Sequence, residues 1–302
     1  MAILFKREVD QLIPRFVTVG KGGVGYVSKD GDKWLKLSNF GANEDFICIT
    51  YGNGIFVSID NSGNIFNSTD GLKWEKVRSI SLKCLYNSLT YGNGRFVVVG
   101  QKQIVYYSTD GKNWISVSIS EMVNENHYGI AYGKDLNGID KFVTVGTAGK
   151  SFYSEDGKTW SSMSGLSSVT RAIAYGNGRF VCVDDAGKMY CHDNGIHWNQ
   201  TGYTTSSNSN AITYGNGVFV VVGNNGKSYY STDGERWSSG SGLTASISVD
   251  VTYNYGKFIA VGFSGSVFYS TNGKNWTELP TLFSDVNLYA ICGNVDGGYD
   301  NS

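Results

Sequence analysis

The feature that most constrains the fold is a tryptophan that recurs seven times at a nearly constant interval. The successive intervals are 40, 40, 46, 38, 39 and 39 residues, and a version of Ser-x-Asp-Gly-x-x-Trp contains each tryptophan. An interval of this size indicates structural units that stack in a row or close into a ring. The seven residues are Trp34, Trp74, Trp114, Trp160, Trp198, Trp237 and Trp276.

A second motif, Tyr-Gly-Asn-Gly-x-Phe, precedes most of the tryptophan motifs, and its phenylalanine position lies 18 residues before the tryptophan in all seven copies. Each unit predicts four strands: a ends at the tyrosine, b begins at the phenylalanine, c ends at the serine and d begins at the tryptophan. Strand b is apolar on both faces, which is typical of a sheet covered by neighbours on both sides. We therefore predict an all-β, seven-bladed β-propeller with four antiparallel strands per blade.

The first unit has no strand a, because it begins at Phe16 with strand b. Residues 288–294 match residues 171–177, with Cys292 in the tyrosine position, and so supply the missing strand. Pairing of this C-terminal strand with the N-terminal blade would close the ring and leave no exposed edge strand. The predicted boundaries are an N-terminal arm at 1–10, the propeller at 11–294 and a polar C-terminal tail at 295–302.

The Asp-Gly and Asn-Gly dipeptides before the tryptophans tolerate positive φ angles and predict tight type I′ hairpin turns between strands c and d. We expect the acidic or amide residue of each turn to serve the fold. These residues are Asp30, Asp70, Asp110, Asp156, Asn194, Asp233 and Asn272.

Charge and cysteine content exclude several classes of function. The chain has 25 Lys and Arg against 26 Asp and Glu, so no overall positive field favours nucleic acid as a partner. The first residues, 1–7, contain no long apolar run, and we expect neither a signal peptide nor membrane insertion. Five scattered cysteines without a Cys-x-x-Cys pair predict buried free thiols.

The Ser-x-Asp-Gly-x-x-Trp hairpins resemble the Asp boxes of sialidase-like propellers, with one residue fewer between Asp and Gly. The whole unit is similar to the repeat in tail and tail-fibre proteins of bacteriophages and prophages. This resemblance implies a component of a phage tail or phage-tail-like particle, made in the bacterial cytoplasm, that recognises a host-surface glycan or serves as a structural, baseplate-associated subunit. It also implies other particle subunits as partners, with the N-terminal arm as a contact.

A free cytoplasmic or cell-surface binding scaffold and a sialidase-like glycoside hydrolase are the alternative functions. A sialidase needs clustered arginines to hold a carboxylate. Arg95, Arg179 and Arg236 fall in the a–b and c–d turns, which share one face of a propeller. Arg78 and Arg171 fall in d–a connections on the other face, and the Phe-Arg-Ile-Pro signature is absent. We therefore expect no catalytic residues.

The b–c and d–a connections vary in sequence, whereas the a–b and c–d turns are nearly identical, and we call the two sides the variable face and the repeated face. Ligands usually bind variable loops on a regular frame. The variable face is rich in amides and hydroxyls with a few flat rings, which suits a glycan or a polar protein surface. The candidate binding residues are Asp60, Asn61, Lys102, Gln103, Tyr128, Asp184, Asp185, Tyr203, Asn224, Asn225 and Phe263.

Two groups of residues resemble metal ligands. Residues 60–64 and the pair Asp184 and Asp185 offer oxygen atoms of the kind that bind calcium, but with few carboxylates. His192 and His197 flank one hairpin and lack a third zinc ligand at a suitable spacing. We expect neither a metal nor another cofactor.

Overall fold

The computed structural model describes residues 14–37, 40, 43–79, 86–101, 103–192, 196–206, 208–244, 247–280 and 286–294. The predicted N-terminal arm at 1–10 and tail at 295–302 lie outside the described residues, as do Cys84, Lys102 and Asn194. No helix in the described ranges is long and apolar enough to cross a membrane.

The described strands form seven antiparallel sheets of four strands each, which confirms the predicted seven-bladed propeller. Blade 1 contains β1 (Phe16–Gly20), β2 (Gly25–Ser28) and β3 (Trp34–Lys36). Blade 2 contains β4 (Phe46–Gly52), β5 (Ile55–Asp60), β6 (Asn64–Ser68) and β7 (Glu75–Ser79). Blade 3 contains β8 (Tyr86–Gly92), β9 (Arg95–Gly100), β10 (Ile104–Ser108) and β11 (Ile115–Ser118). Blades 4 and 5 contain β12 (His127–Lys134), β13 (Asp140–Gly146), β14 (Ser151–Ser154) and β15 (Ser161–Met163); and β16 (Thr170–Gly176), β17 (Arg179–Asp184), β18 (Lys188–His192) and β19 (Asn199–Thr204). Blades 6 and 7 contain β20 (Ser209–Gly215), β21 (Val218–Gly223), β22 (Ser228–Ser231) and β23 (Ser238–Ser239); and β24 (Ser248–Asn254), β25 (Lys257–Gly262), β26 (Val267–Ser270) and β27 (Thr277–Glu278). The last strand, β28 (Leu288–Gly293), joins blade 1. Short 3-10 turns lie at Lys21–Gly23, Ser120–Met122, Thr147–Gly149 and Phe263–Gly265.

Strand a of each blade contacts strand a of the next, so these strands surround a central channel. The core lies between the blades. In one interface Val97 and Val99 of blade 3 pack against Phe142, Phe152 and Trp160 of blade 4, all of them buried. Apolar side chains on both faces of strand b are therefore explained by a blade on either side.

The ring closes as predicted, because β28 pairs antiparallel with β1 and places Gly293 opposite Phe16. The predicted register was wrong by one residue: Gly293, and not Cys292, takes the position that tyrosine occupies elsewhere.

An exchange of residue sizes accounts for this register at the junction of blades 7 and 1, which we call the seam. In blades 2 to 6 a glycine packs against the tyrosine of the next blade, and a Cβ on Gly52 would lie 2.0 Å from the ring of Tyr91. At the seam Asn254 replaces the glycine and faces Gly293. The Asn254 Nδ2 donates to the Arg15 carbonyl at 2.7 Å, so this pair also ties the two ends of the chain together.

The c–d turns differ from the predicted type I′ geometry, which is found in the a–b turns instead. There Asn53 and Gly54 both have positive φ angles, 50° and 77°. In the six described c–d turns, glycine is the residue with a positive φ, and the preceding aspartate or asparagine acts through its side chain. The Asp30 Oδ1 accepts hydrogen bonds from the backbone N–H groups of Asp32 and Lys33, each at 2.9 Å. The same pattern occurs at Asp70, Asp110, Asp156, Asp233 and Asn272.

Candidate functional site

On the repeated face, basic residues of three blades join their a–b turn to the c–d turn of the next blade. The Arg95 guanidinium donates to the Asp156 carbonyl. Arg179 Nη1 donates to the Asp233 carbonyl at 2.8 Å. Lys257 Nζ donates to the Asp30 carbonyl at 2.9 Å. These arginines and this lysine are therefore used to hold neighbouring blades together.

On the variable face, strand a of every blade carries a β-bulge near its first residue. In blade 2 the register shifts between Phe46 and Cys48, so that Ile47 is the extra residue, and the same shift occurs in the other six blades. Bulges of this kind re-aim a side chain. All seven bulged residues line one cavity of about 270 Å³ at the end of the channel, and we call them the mouth ring: Ile47, Asn87, Tyr128, Arg171, Asn210, Val249 and Tyr289.

A second set of residues, the loop ring, follows strand b at the start of each b–c connection. In six blades the backbone N–H of the loop-ring residue donates to a carbonyl of the d–a connection, as from Asp185 to Val169 at 2.8 Å. The b–c and d–a connections are thereby joined on one face, as predicted. The loop ring consists of Lys21, Asn61, Gln101, Thr147, Asp185, Asn224 and Phe263.

Contacts between the two rings fix several mouth side chains. The Arg171 guanidinium forms two hydrogen bonds with the Asp185 carboxylate, at 2.7 and 3.1 Å, and lies 5.0 Å from the centre of the Tyr128 ring. The Asn210 Nδ2 donates to the Asn224 Oδ1 at 2.8 Å.

Two mouth-ring residues also reach the next blade. The Asn210 Nδ2 donates to the Ser248 carbonyl, and the Asn87 Nδ2 donates to the His127 carbonyl, both at 2.8 Å. The rings of Phe263 and Tyr289 meet edge to face with their centres 6.2 Å apart. The mouth is therefore lined by side chains that are already oriented.

Deeper in the channel, strand a contributes two more rings. The first consists of Asp250 and six small residues, which are Cys48, Ser88, Gly129, Ala172, Ala211 and Ala290. The next is aliphatic throughout: Ile49, Leu89, Ile130, Ile173, Ile212, Val251 and Ile291. Apart from Ser88 and Asp250, these two rings give the channel apolar walls below the mouth.

Asp250 is the exception in the small ring. Its Oδ1 accepts the N–H of Val251 and its Oδ2 accepts the N–H of Ile291 from blade 1, both at 2.8 Å. Burial raises the pKa of Asp250 to about 7. Its side chain keeps partial access to the channel, which it lines.

The predicted candidates occupy different places. Tyr128 lines the channel mouth, and Asp185, Asn224 and Phe263 contact residues of the mouth ring. Asn61 belongs to the loop ring, and its backbone N–H donates to the Asp45 carbonyl. Asn225 is exposed at the tip of a b–c turn, and Gln103 is half-buried at the start of strand c.

Asp60 and Asp184 are buried and hold their own b–c turns. The Asp60 Oδ1 accepts the N–H groups of Ser62 and Asn64, at 3.0 and 2.8 Å. Asp184 accepts the N–H of Lys188 at 2.8 Å. Within the described residues no group of three or more His, Cys, Asp or Glu side chains is arranged to hold a metal.

Tyr203 is apart from the mouth. It lies on β19, the outermost strand of blade 5, in a groove of about 690 Å³ that it shares with His192, Arg236 and Trp237. The c–d connection at 193–195, which follows His192 in the chain, is outside the described residues.

Sequence reasoning missed Ile47, Asn87, Asn210, Val249 and Tyr289 as residues of the site. A signal was present in six blades, because each bulged residue stands four positions before the tyrosine of Tyr-Gly or its counterpart Tyr253. The bulge itself depends on pairing with strand b, which the local pattern does not show.

Comparison with known families agrees with this repeat geometry. The model of the DUF6242 beta propeller domain family matches residues 13–126 and again residues 94–211, which together span 13–211. The chain belongs to the DUF6242 beta propeller domain family. The two matches begin three residues before Phe16 and two before Phe96, which are equivalent positions of blades 1 and 3.

Solved structures with a similar fold include two of YCF48. "YCF48 bound to D1 peptide" has 18% identity and a TM-score of 0.61, with 81% of this chain and 84% of that chain covered. YCF48 from Cyanidioschyzon merolae has 16% identity and a TM-score of 0.62, with 81% and 88% covered.

A catalytically inactive virginiamycin B lyase from Staphylococcus aureus with quinupristin has 13% identity and a TM-score of 0.74, with 88% of this chain and 92% of that chain covered. At these identities the likeness shows the fold alone. No curated protein sequence matches the chain.

Proposed function

We propose that this propeller is a non-catalytic binding module whose ligand lies over the channel mouth on the variable face. The supporting observation is a contrast between two rings on the same strands. The aliphatic ring has Ile in five blades, with Leu and Val in the others, whereas the mouth ring two residues earlier has Ile, Asn, Tyr, Arg, Asn, Val and Tyr. Strand geometry accounts for the constancy of the aliphatic ring, and the diversity of the mouth ring is what a specific ligand requires.

The chemistry of the mouth suits a glycan or an extended protein segment. Tyr128, Tyr289 and Phe263 provide flat apolar surfaces, and the asparagines provide polar atoms between them. YCF48, whose fold is similar, has been solved with a D1 peptide, which supports a peptide as one class of ligand for such a propeller.

The setting we propose is a phage tail or phage-tail-like particle, where the module recognises a host-surface glycan or joins a baseplate-associated assembly. The support is the likeness of the repeat unit to tail and tail-fibre proteins. Gradient-purified particles from an induced lysogen, probed with an antibody to this chain, test that setting. Exclusive recovery in the soluble fraction would favour the free binding scaffold instead.

The absence of catalysis is proposed from the state of Arg171. It is the one arginine among the described residues that line the mouth, and its guanidinium already pairs with the Asp185 carboxylate. A sialidase would need several free guanidinium groups for its substrate carboxylate. We expect no turnover of sialosides, and turnover that disappears in Arg171→Ala would overturn the proposal.

Binding is tested with the double variant Tyr128→Ala, Tyr289→Ala, which removes two flat surfaces from the mouth. The matched control is Arg236→Ala on the repeated face, where the side chain is 92% exposed. Attachment to a glycan array, to host cells and to purified particles should fall at least about tenfold in the mouth variant, as for loss of interface aromatics. Attachment that falls equally in both variants, or in neither, would contradict the proposed site.

A further inference from the structure

We propose that the mouth admits a lysine side chain of a protein partner, whose ammonium group pairs with the Asp250 carboxylate inside the channel. This inference rests on the proposed binding function and names the chemistry of its ligand. It selects a protein partner over a neutral glycan.

Asp250 carries more charge than the fold needs at its position. In blade 3 the equivalent residue is Ser88, whose hydroxyl accepts the N–H of Ile130 from blade 4 at 3.3 Å. Asp250 does the same for Ile291 of blade 1. The other five blades have Cys, Gly or Ala there, so a neutral small residue satisfies the channel wall. A carboxylate in a poorly solvated place is costly unless it meets a cation.

No described residue supplies a cation to Asp250. Asp250 forms no ion pair within the described ranges, and its two hydrogen bonds come from uncharged backbone amides. Arg171 is the one cation among the described residues lining the cavity, and it is held by Asp185. Each Asp250 oxygen accepts one hydrogen bond and retains acceptor capacity for a ligand.

The asparagines of the mouth are oriented to accept hydrogen bonds from a ligand. Asn87 and Asn210 both donate through Nδ2 to backbone carbonyls, and a carbonyl partner fixes which end of each amide is the donor. Within the described ranges no group donates to their Oδ1 atoms, which can therefore accept from a ligand. Side chains that accept, together with a buried carboxylate, select a group rich in hydrogen-bond donors, which an ammonium group is.

The apolar lining beside Asp250 favours lysine among amines. Asp250 lies one residue deeper than the mouth ring, and the aliphatic ring begins at the next residue, Val251. A lysine carries its ammonium at the end of a slender four-carbon stem, whose methylene groups pack well against apolar walls such as Ile47 and Val249. An amino sugar carries its ammonium directly on a hydroxylated ring and has no such apolar stem.

The test uses three fluorescein-labelled probes: a Gly-Ser heptapeptide with one central lysine, the same peptide with norleucine, and a trimer of glucosamine. Anisotropy should show the lysine peptide binding at least about tenfold more tightly than the norleucine peptide, as for loss of a charge-assisted hydrogen bond. Carbodiimide coupling followed by mass spectrometry should join the lysine to Asp250.

Asp250→Ser should remove the preference for lysine while preserving the fold, because Ser88 shows that a hydroxyl serves the same backbone contact. Glu155→Gln removes an exposed acid from the repeated face and should change nothing.

Equal binding of the two peptides, or no lysine-dependent binding at millimolar peptide, overturns the inference. Tighter binding of the glucosamine trimer also overturns it and points to an amino sugar. If the Tyr128→Ala, Tyr289→Ala variant loses attachment to its target while Asp250→Ser retains it, the inference fails and the binding function stands. If neither variant loses attachment, both fail.

Discussion

The two faces of the propeller use one repeat for different purposes. On the repeated face, six Asp-Gly or Asn-Gly turns share one hydrogen-bond pattern, and in three blades a basic side chain reaches such a turn of the next blade. On the variable face, seven equivalent bulges carry aliphatic, aromatic, amide and cationic side chains into one cavity. Repetition therefore identifies what the fold requires, and departures from repetition identify what the fold leaves available for binding.

The seam gives the largest test of this comparison, because one strand there completes the ring. Deleting residues 286–302 removes β28 and exposes an edge of β1 to solvent. We expect the melting temperature to fall by about 10 °C or more in calorimetry, or the cooperative transition to disappear.

Deletion of residues 295–302 alone is the control and should leave melting unchanged. Equal melting of the two truncated chains would show that ring closure does not stabilise the propeller.

The second test concerns the glycine and tyrosine pairs between blades. In Gly176→Ala the new methyl group would lie 2.1 Å from the ring of Tyr214, which should cost about 1–3 kcal/mol of the free energy of unfolding in urea. The seam shows how the fold accommodates a larger residue, since Asn254 faces Gly293 there.

Adding Tyr214→Gly to Gly176→Ala places a glycine opposite the larger residue, as at the seam, and should relieve the steric clash in part. A double variant that is less stable than the sum of the two single variants would contradict this reading of the seam.

The third test is a pH dependence that belongs to Asp250. Its pKa is raised to about 7 from the usual 3.8, so the folded state holds a proton that the unfolded chain releases. Its contribution to stability is complete below about pH 4 and is lost as the pH rises through 7. His127 and His192 act in the opposite direction, because burial lowers their pKa values to about 4 and about 3.

The informative quantity is therefore the difference between the wild type and Asp250→Asn, measured by urea unfolding from pH 4 to pH 8. The variant should gain stability relative to the wild type as the pH rises. Cys48 and Cys292 interact electrostatically with Asp250. Burial raises the pKa values of both thiols, so they stay neutral throughout this range. A constant difference across this range would show that the carboxyl titrates normally.

The smallest expected effect concerns the cysteines. Cys48, Cys182, Cys191 and Cys292 are buried in the blade interfaces, and Cys84 lies outside the described residues. Alkylation under denaturing, non-reducing conditions should label five thiols per chain by mass spectrometry. A pair protected from alkylation until reduction would contradict the sequence prediction.

The blades and the ring closure were predictable because a propeller enforces a constant length from strand b to strand d in every copy. The register of β28 was missed by one residue, since the compensating sizes of Asn254 and Gly293 become visible when strands from the two ends of the chain meet. The turn type was missed because the Asp30 side chain replaces a backbone partner.

The face of the candidate site was predicted, but its centre was not. Loop composition led to Asn224 and Phe263, whereas Tyr289 and Asn210 project from strands and reach the mouth through bulges. In the sequence Asp250 resembles an ordinary strand residue, and its place in the channel wall depends on strand a of all seven blades. Tyr203 belongs to the same variable stretch of sequence and yet lies in the groove at the outer edge, because β19 runs further than the pattern indicated.

The central claim, that the ligand lies over the channel mouth, is tested most directly by blocking one face at a time. In a Cys84→Ser background, a bulky maleimide is attached at Asn225→Cys beside the mouth or at Glu155→Cys on the repeated face, since both positions are exposed. Attachment to host cells or particles should be lost with the first label and retained with the second. Loss with the Glu155 label and retention with the Asn225 label would place the ligand on the opposite face.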